Sequence, residues 1–199
     1  MRGSIATLVL TVLLAVAPAT TWSKDATAAD PAEKTQPATD AKQAVPASSV
    51  TRHQAIIDGK PVKYTATVGW FILKDPKDNP IARFGYTAYT LDGVKNLTQR
   101  PVTFAFNGGP GSSSIWLHMG IMGPRRVVVN DGGYAPPPPS QLVDNAYSPL
   151  DVTDIVMIDP VGTGFSKPLG DAKPADFHGV DEDIRSVAQF IKRFVSENG

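Results

Sequence analysis

The chain has 199 residues and no formal net charge, with 19 basic and 19 acidic side chains and no cysteine. Neutrality argues against a nucleic acid or an anionic membrane surface as the main partner, and the lack of cysteine excludes disulfides, thiolate nucleophiles and cysteine-based metal sites. Hydrophobic residues make up 42% of the sequence, which is enough for one sizeable core.

Residues 1–19 have the pattern of a secretory signal peptide. Arg2 supplies the positive charge, residues 5–17 are an apolar run too short to span a bilayer, and Ala17 and Ala19 offer small residues for cleavage. A buried N-terminal helix is the alternative. We expect an exported protein, periplasmic or secreted, with no membrane span after signal cleavage.

Residues 20–50 differ in composition from both neighbours. They are rich in Ala, Thr, Pro, Asp, Lys and Ser and contain few large apolar residues. Such a stretch buries too little surface to offset the entropy of ordering it, so we predict a disordered linker. The folded part is therefore predicted to comprise residues 51–199, about the size of one domain.

The first predicted elements are antiparallel strands. Residues 53–57 and 60–73 flank Asp58-Gly59, a favoured two-residue hairpin turn, and residues 82–91 form a further strand rich in Tyr and Thr. These strands are predicted to be half exposed.

Apolar strands and helices alternate in the rest of the chain. Residues 101–106 and 154–159 are predicted to be buried strands, residues 125–129 another strand, and a short helix should reach Met122. Residues 136–139 are four consecutive prolines and are predicted to form a polyproline surface loop. A final amphipathic helix is predicted to have the apolar face Val180, Ile184, Val187, Ala188, Ile191, Phe194 and Val195. This order predicts a mixed α/β sheet with an antiparallel edge.

A glycine-rich loop, NGGPGSSS from Asn107 to Ser114, follows the first buried strand. Glycine lets another group approach the backbone closely, and the free N–H groups of a loop that opens a helix point toward an anion. A dinucleotide site, an oxyanion hole and a plain turn all use this geometry. Asp131 has about the spacing of a ribose-binding acid, but Ser114 replaces the third glycine and Pro110 removes an N–H. An oxyanion hole fits better.

Two motifs resemble those of the serine carboxypeptidases. Residues 107–114 are similar to the family's N-G-G-P-G-x-S-S, and residues 159–166, DPVGTGFS, to its P-x-G-x-G-F-S; their order and separation also agree. The resemblance runs from about Gln54 to the C-terminus. It implies an α/β-hydrolase-type mixed sheet with N-terminal antiparallel strands, incomplete at the C-terminus. It also implies a cofactor-free, serine-type carboxypeptidase that releases C-terminal residues of peptides and proteins through an acyl-enzyme.

The same resemblance assigns roles within the glycine loop. It implies that the backbone N–H of Gly109 lies in the oxyanion hole and that Asn107 and Gly108 bind the substrate's C-terminal carboxylate. From the residues alone, it is an equally good alternative that Asn107 caps the turn and does not bind substrate. Ala105 stands where many members have Trp, and Ser112 where they have Cys. Both differences change the wall of the carboxylate site.

The catalytic triad is absent from the sequence. The 199 residues contain no G-x-S-x-G elbow and no H-E-x-x-H metal motif. His53, His118 and His178 precede the position of the family's serine, and His118 and His178 are predicted to be structural or at the surface. Ser166 lacks the flanks of a nucleophile, and Asp159 is predicted to serve a loop or cap. We expect an N-terminal fragment that is inactive alone; the alternatives are an acyltransferase or esterase, or a non-catalytic exported binding protein.

Overall fold

The computed structural model describes residues 48–107, 112–129 and 137–198. The predicted signal peptide (1–19), most of the predicted linker (20–50), and Gly108, Gly109 and Asp131 lie outside the described residues. The predictions for these residues therefore stay predictions.

The chain begins with the predicted β-hairpin. Strand β1, Ser49–Ile57, pairs antiparallel with β2, Lys60–Lys74. The turn residues Asp58 and Gly59 have φ values of +47° and +71°, the left-handed conformation that a tight two-residue hairpin needs. Pairing begins two residues before the predicted domain boundary at residue 51, because Ser49 lies opposite Val68 in the ladder.

The main sheet of the described residues has the strand order β1-β2-β3-β7-β4. Strand β3 is Pro80–Leu91, β4 is Val102–Ala105 and β7 is Asp154–Ile158. The first pairs are antiparallel, while β4 and β7 run parallel. A two-residue strand, β8 (Lys167–Pro168), also pairs with β3. The predicted mixed α/β sheet with antiparallel N-terminal strands is confirmed.

One predicted strand lies outside this sheet. Residues 125–129 are predicted to be a strand. Strand β5 spans Arg125–Val127 and pairs with β6, Leu142–Asp144, in a separate two-stranded ribbon. Within the ribbon Arg125 forms an ion pair with Asp144 at 3.2 Å, and Asp144 also accepts the backbone N–H of Ile56. The hydrogen bond to Ile56 joins the ribbon to β1.

The sheet separates two hydrophobic clusters. Alternate side chains of β7 face opposite sides, so that Val156 and Ile158 join one cluster and Ile155 and Met157 the other. The final helix, α2 (Val180–Asn198), covers the first cluster. The second cluster is covered by a short helical segment, α1 (Ile115–Leu117) continuing into a π-helical turn over His118–Met122.

Helix α2 is amphipathic, but its buried face differs from the predicted one. Val180 and Ile184 are 78% and 61% exposed, whereas Phe190, absent from the prediction, is fully buried. Phe190 stacks on Phe84 with ring centroids 4.9 Å apart, and it also contacts Phe71 at 5.3 Å. The predicted face is wrong at its start because these aromatic contacts determine the rotation of the helix.

Candidate functional site

The two sequence motifs meet at one edge of the sheet. Because β4 and β7 are parallel neighbours, with Ala105 opposite Met157, their carboxyl ends lie side by side. The glycine loop follows β4 and the DPVGTGFS loop follows β7. Ligand sites of α/β proteins form at this edge.

Ser114 connects the glycine loop to β7. Its backbone N–H donates to Asp159 Oδ1 at 2.9 Å, and its hydroxyl donates to the carbonyl of Ile158. The same hydroxyl oxygen accepts the backbone N–H of Asn107 at 3.3 Å. Ser114 is only 3% exposed, so these bonds are shielded from water. Both ends of the glycine loop are thereby fixed to the end of β7.

Asp159 is the common acceptor of the two loops. Its second oxygen, Oδ2, accepts the backbone N–H of Phe165 at 3.2 Å, which closes the DPVGTGFS loop. A Cβ added to Gly164 would overlap the Asp159 carboxylate, and Gly164 has φ +46°. Glycine is therefore required at position 164. The sequence pointed to a loop or cap role for Asp159 but not to the link between the motifs.

Ser166 has a structural environment. Its hydroxyl donates to the carbonyl of Asp159 at 2.6 Å and accepts the N–H of Gly85 at 2.8 Å, and the residue is 2% exposed. Both hydrogen-bonding functions are occupied by buried backbone groups. The arrangement agrees with the inference from its flanks that Ser166 is not the nucleophile.

Asn107 is the one predicted binding residue that the structure describes. It is half-buried, and its side-chain Oδ1 is buried with no hydrogen-bond partner among the described residues. A buried acceptor without a donor is costly unless something else compensates it. Gly108 and Gly109, for which the resemblance implies carboxylate and oxyanion roles, lie outside the described residues.

The three histidines do not come together. His53 is exposed and bonded to Thr51, and His178 is exposed beside Gly162. His118 is instead hydrogen-bonded through Nε2 to the hydroxyl of Tyr89. Burial lowers the pKa of His118, an effect that the Asp159 charge partly opposes, and burial raises the pKa of Tyr89. No sequence pattern pointed to this pair, since its members lie on different elements.

A cavity of about 430 Å³ opens beside the linked loops. Its polar lining includes Ser113, Asp159 and His118. Its apolar walls are formed by Val68, Trp70, Tyr86, Ile115, Met157 and Phe165. Among the described residues, no group of three or more His, Asp or Glu side chains is placed to hold a metal ion.

Residues 86–199 match the family model for serine carboxypeptidase, and this match covers more than half of the chain. The chain belongs to the serine carboxypeptidase family. The matched range contains β4, β7, α2 and both motif loops, whereas β1 and β2 precede it. The family and the fold expected from the motifs are thereby confirmed.

Several carboxypeptidases are similar to this family member. Serine carboxypeptidase-like 36 from Arabidopsis thaliana is 30% identical over 126 residues, which cover 61% of this chain and 24% of that protein. The pheromone-processing carboxypeptidase KEX1 from Saccharomyces cerevisiae is 31% identical over 123 residues, 61% of this chain and 16% of KEX1. The crystal structure of a prohormone-processing KEX1 from that yeast matches 52% of this chain and 21% of its own, with 29% identity and a TM-score of 0.41.

This serine carboxypeptidase family member spans a quarter or less of the length of those relatives. Within the parts of the chain that the structure describes, no helix combines the length and hydrophobicity needed to cross a membrane.

Proposed function

We propose that the protein containing this chain is an exported serine-type carboxypeptidase that releases C-terminal residues from peptides through an acyl-enzyme. In this proposal the backbone N–H of Gly109 stabilises the oxyanion, and Asn107 and Gly108 bind the substrate's terminal carboxylate. The triad residues come from outside the 199 residues, because the sequence contains no serine elbow. This chain alone is expected to be inactive.

The observation that carries the proposal is the link through Ser114 and Asp159. An oxyanion hole works when its donors are held in place before the reaction, because no reorganisation is then needed as the charge develops. Ser114 is bonded to Asp159, Ile158 and Asn107 at once. Asn107 and Ser114, the two ends of the glycine loop, are thus held together and fixed to the end of β7.

The test begins with the gene. Sequencing beyond codon 199 should show a serine elbow followed by an acidic residue and a histidine, in the order of α/β-hydrolases. The complete protein should then release the last residue of an N-blocked dipeptide but not of its C-terminal amide. Equal cleavage of esters without dependence on a free carboxylate would favour an esterase, transfer to an added acceptor an acyltransferase, and no turnover a binding protein.

Asn107→Ala in the complete protein should raise KM for the free-acid dipeptide by roughly 10- to 100-fold, the worth of a hydrogen bond to a charged group. Hydrolysis of a matching ester should change little. Asn96→Ala is the matched control, because Asn96 is exposed and precedes β4 at the opposite edge of the sheet. An equal loss on acid and ester substrates would contradict the carboxylate role of Asn107.

A further inference from the structure

The Tyr89–His118 pair gives the glycine loop a second attachment to the sheet. Ser114, the last residue of the loop, is bonded to the end of β7 and stands at the N-cap of α1. The backbone N–H of His118 donates to the carbonyl of Ser114 at 2.9 Å, and the His118 ring is hydrogen-bonded to the Tyr89 hydroxyl on β3. Ser114 is thus connected to two neighbouring strands, to β7 directly and to β3 through His118.

The short helix after the loop depends on such contacts for its position. Helix α1 has three residues and continues into one π-helical turn, His118–Met122, and a helix of this length is not stable by itself. Gly123 closes the turn by donating its N–H to the His118 carbonyl at 3.0 Å, and a Cβ at position 123 would overlap that carbonyl. The backbone of His118 is therefore fixed from both sides, and its ring joins the helix to β3 by a directed contact.

Three titratable side chains surround the His118 ring within the described part of the chain. Tyr89 faces it from β3, Tyr64 packs behind Tyr89 from β2 with ring centroids 5.7 Å apart, and Asp159 faces it from the loop after β7. Burial raises the pKa of both tyrosines, so both stay neutral near neutral pH. The charge that acts on His118 is therefore that of the Asp159 carboxylate.

Protonation of His118 changes both of these contacts. A neutral imidazole can accept a hydrogen bond from the Tyr89 hydroxyl at Nε2, whereas a protonated ring has two N–H donors and no acceptor. The new cation is attracted to Asp159, whose two carboxylate oxygens hold the N–H groups of Ser114 and Phe165. An N–H group of the charged ring competes for these oxygens, so one proton weakens the attachment to β3 and the attachment to β7 together.

We infer that Tyr89 and His118 are positioning residues for the glycine loop: the neutral pair fixes the helix that follows the loop, and protonation of His118 loosens both. This inference rests on the proposed function, in which Gly109 of that loop donates to the oxyanion. The oxyanion develops only as the reaction proceeds, so a misplaced donor costs transition-state binding and not substrate binding. Loss of the pair should therefore lower kcat and leave KM nearly unchanged.

The first test removes one hydroxyl group. In the complete protein, Tyr89→Phe should lower kcat for an N-blocked dipeptide roughly 10- to 100-fold, because a small misplacement of a reacting group has an effect of this order. Tyr64→Phe is the matched control, since it removes the hydroxyl of a tyrosine in the same cluster that faces Arg125. Rates are divided by the number of active sites found by burst titration, so unfolded protein does not count. Equal kcat values for the two variants would overturn the inference.

The second test uses pH. Burial lowers the pKa of folded His118 below about 6.5, so its protonation should reduce kcat as the pH falls from 7.5 to 5. In His118→Gln the side chain cannot be protonated and can still accept from Tyr89. The kcat of this variant relative to the unaltered protein should rise as the pH falls, by about twofold where half of folded His118 is protonated. The ratio for His178→Gln, at an exposed position, should stay constant. A constant ratio for His118→Gln would contradict the role of the proton.

Hydrogen exchange follows the loop without turnover. In the complete protein, mass spectrometry of the peptide that contains Asn107 and Ser114 should show lower protection in Tyr89→Phe than in Tyr64→Phe. If the unaltered protein releases no C-terminal residues, the proposed function fails, and this comparison then decides on the pair by itself. Equal protection in the two variants overturns the inference even where the protein is an active carboxypeptidase.

Discussion

At Gly164, both the backbone conformation and the available space exclude a side chain. The residue has φ +46°, and the position of an added Cβ is taken by the Asp159 carboxylate. That carboxylate in turn accepts the N–H groups of Ser114 and Phe165. A single methyl group at position 164 therefore acts on both motif loops, because it displaces their common acceptor.

Gly164→Ala should lower the free energy of unfolding by about 3 kcal/mol or more, from left-handed backbone strain and two N–H groups that lose their acceptor. Gly59→Ala is the matched control, because Gly59 has φ +71° but an added Cβ meets nothing within 4 Å. The Gly59→Ala variant should lose only about 1 kcal/mol of unfolding free energy, from the backbone strain. Urea unfolding of both variants measures the difference, and equal losses would show that the overlap with Asp159 is relieved cheaply.

The Tyr89–His118 pair makes stability depend on pH. Burial lowers the pKa of folded His118 below its value of about 6.5 in the unfolded chain. The unfolded chain therefore takes up a proton first as the pH falls, and stability declines from about pH 6.5 downward until folded His118 also protonates. Unfolding free energies measured from pH 7.5 to 5 should show this decline.

His118→Gln should flatten that part of the curve, since Gln does not titrate and can still accept from Tyr89. His178→Gln, at an exposed position, should leave the curve unchanged. A His118→Gln curve parallel to that of the unaltered chain would mean that other groups, such as the carboxylates, cause the acid sensitivity.

At the scale of elements, a buried ion pair joins the amino ends of β4 and β7 to the end of β3. Arg100 Nε lies 2.7 Å from Asp154 Oδ1, with side chains only 9% and 16% exposed. Arg100 also donates to the carbonyl of Leu150 at 2.6 Å, and Asp154 accepts the N–H of Leu91 at 3.0 Å. This end of the sheet lies opposite the motif loops, so its contacts support the fold and not the site.

Arg100→Ala should lower the unfolding free energy by about 3 kcal/mol or more, because it leaves a buried carboxylate without its cation. Lys74→Ala removes an exposed ion pair, with Asp78, and should cost no more than about 1 kcal/mol. Chemical denaturation compares the two. A loss below 1 kcal/mol for Arg100→Ala would show that water replaces the guanidinium at Asp154.

At the scale of the whole molecule, local patterns predicted the elements and distant contacts determined their arrangement. The hairpin followed from Asp58-Gly59, and the two motif loops followed from their residues. The ribbon of β5 and β6 depends on the ion pair between Arg125 and Asp144. The rotation of α2 depends on the ring contacts of Phe190 with strands more than 80 residues earlier in the sequence. The role of Asp159 likewise needs Ser114, 45 residues away. No local sequence pattern predicts these contacts between residues that are far apart in the chain.

We expect the whole chain to be exported, and residues 1–19 make this expectation testable. The apolar run of residues 5–17 ends at Ala17, and Ala17 and Ala19 are small residues at the positions that a signal peptidase reads. When the complete protein is produced in a secreting bacterial host, the mature protein should begin at Thr20, as N-terminal sequencing of the periplasmic or extracellular fraction will show. Ala19→Arg should block cleavage and retain the precursor, whereas Ala28→Arg, within the predicted linker, should not. Recovery of the unaltered chain in the cytoplasm with residues 1–19 intact would contradict export, because a functional signal is removed on translocation.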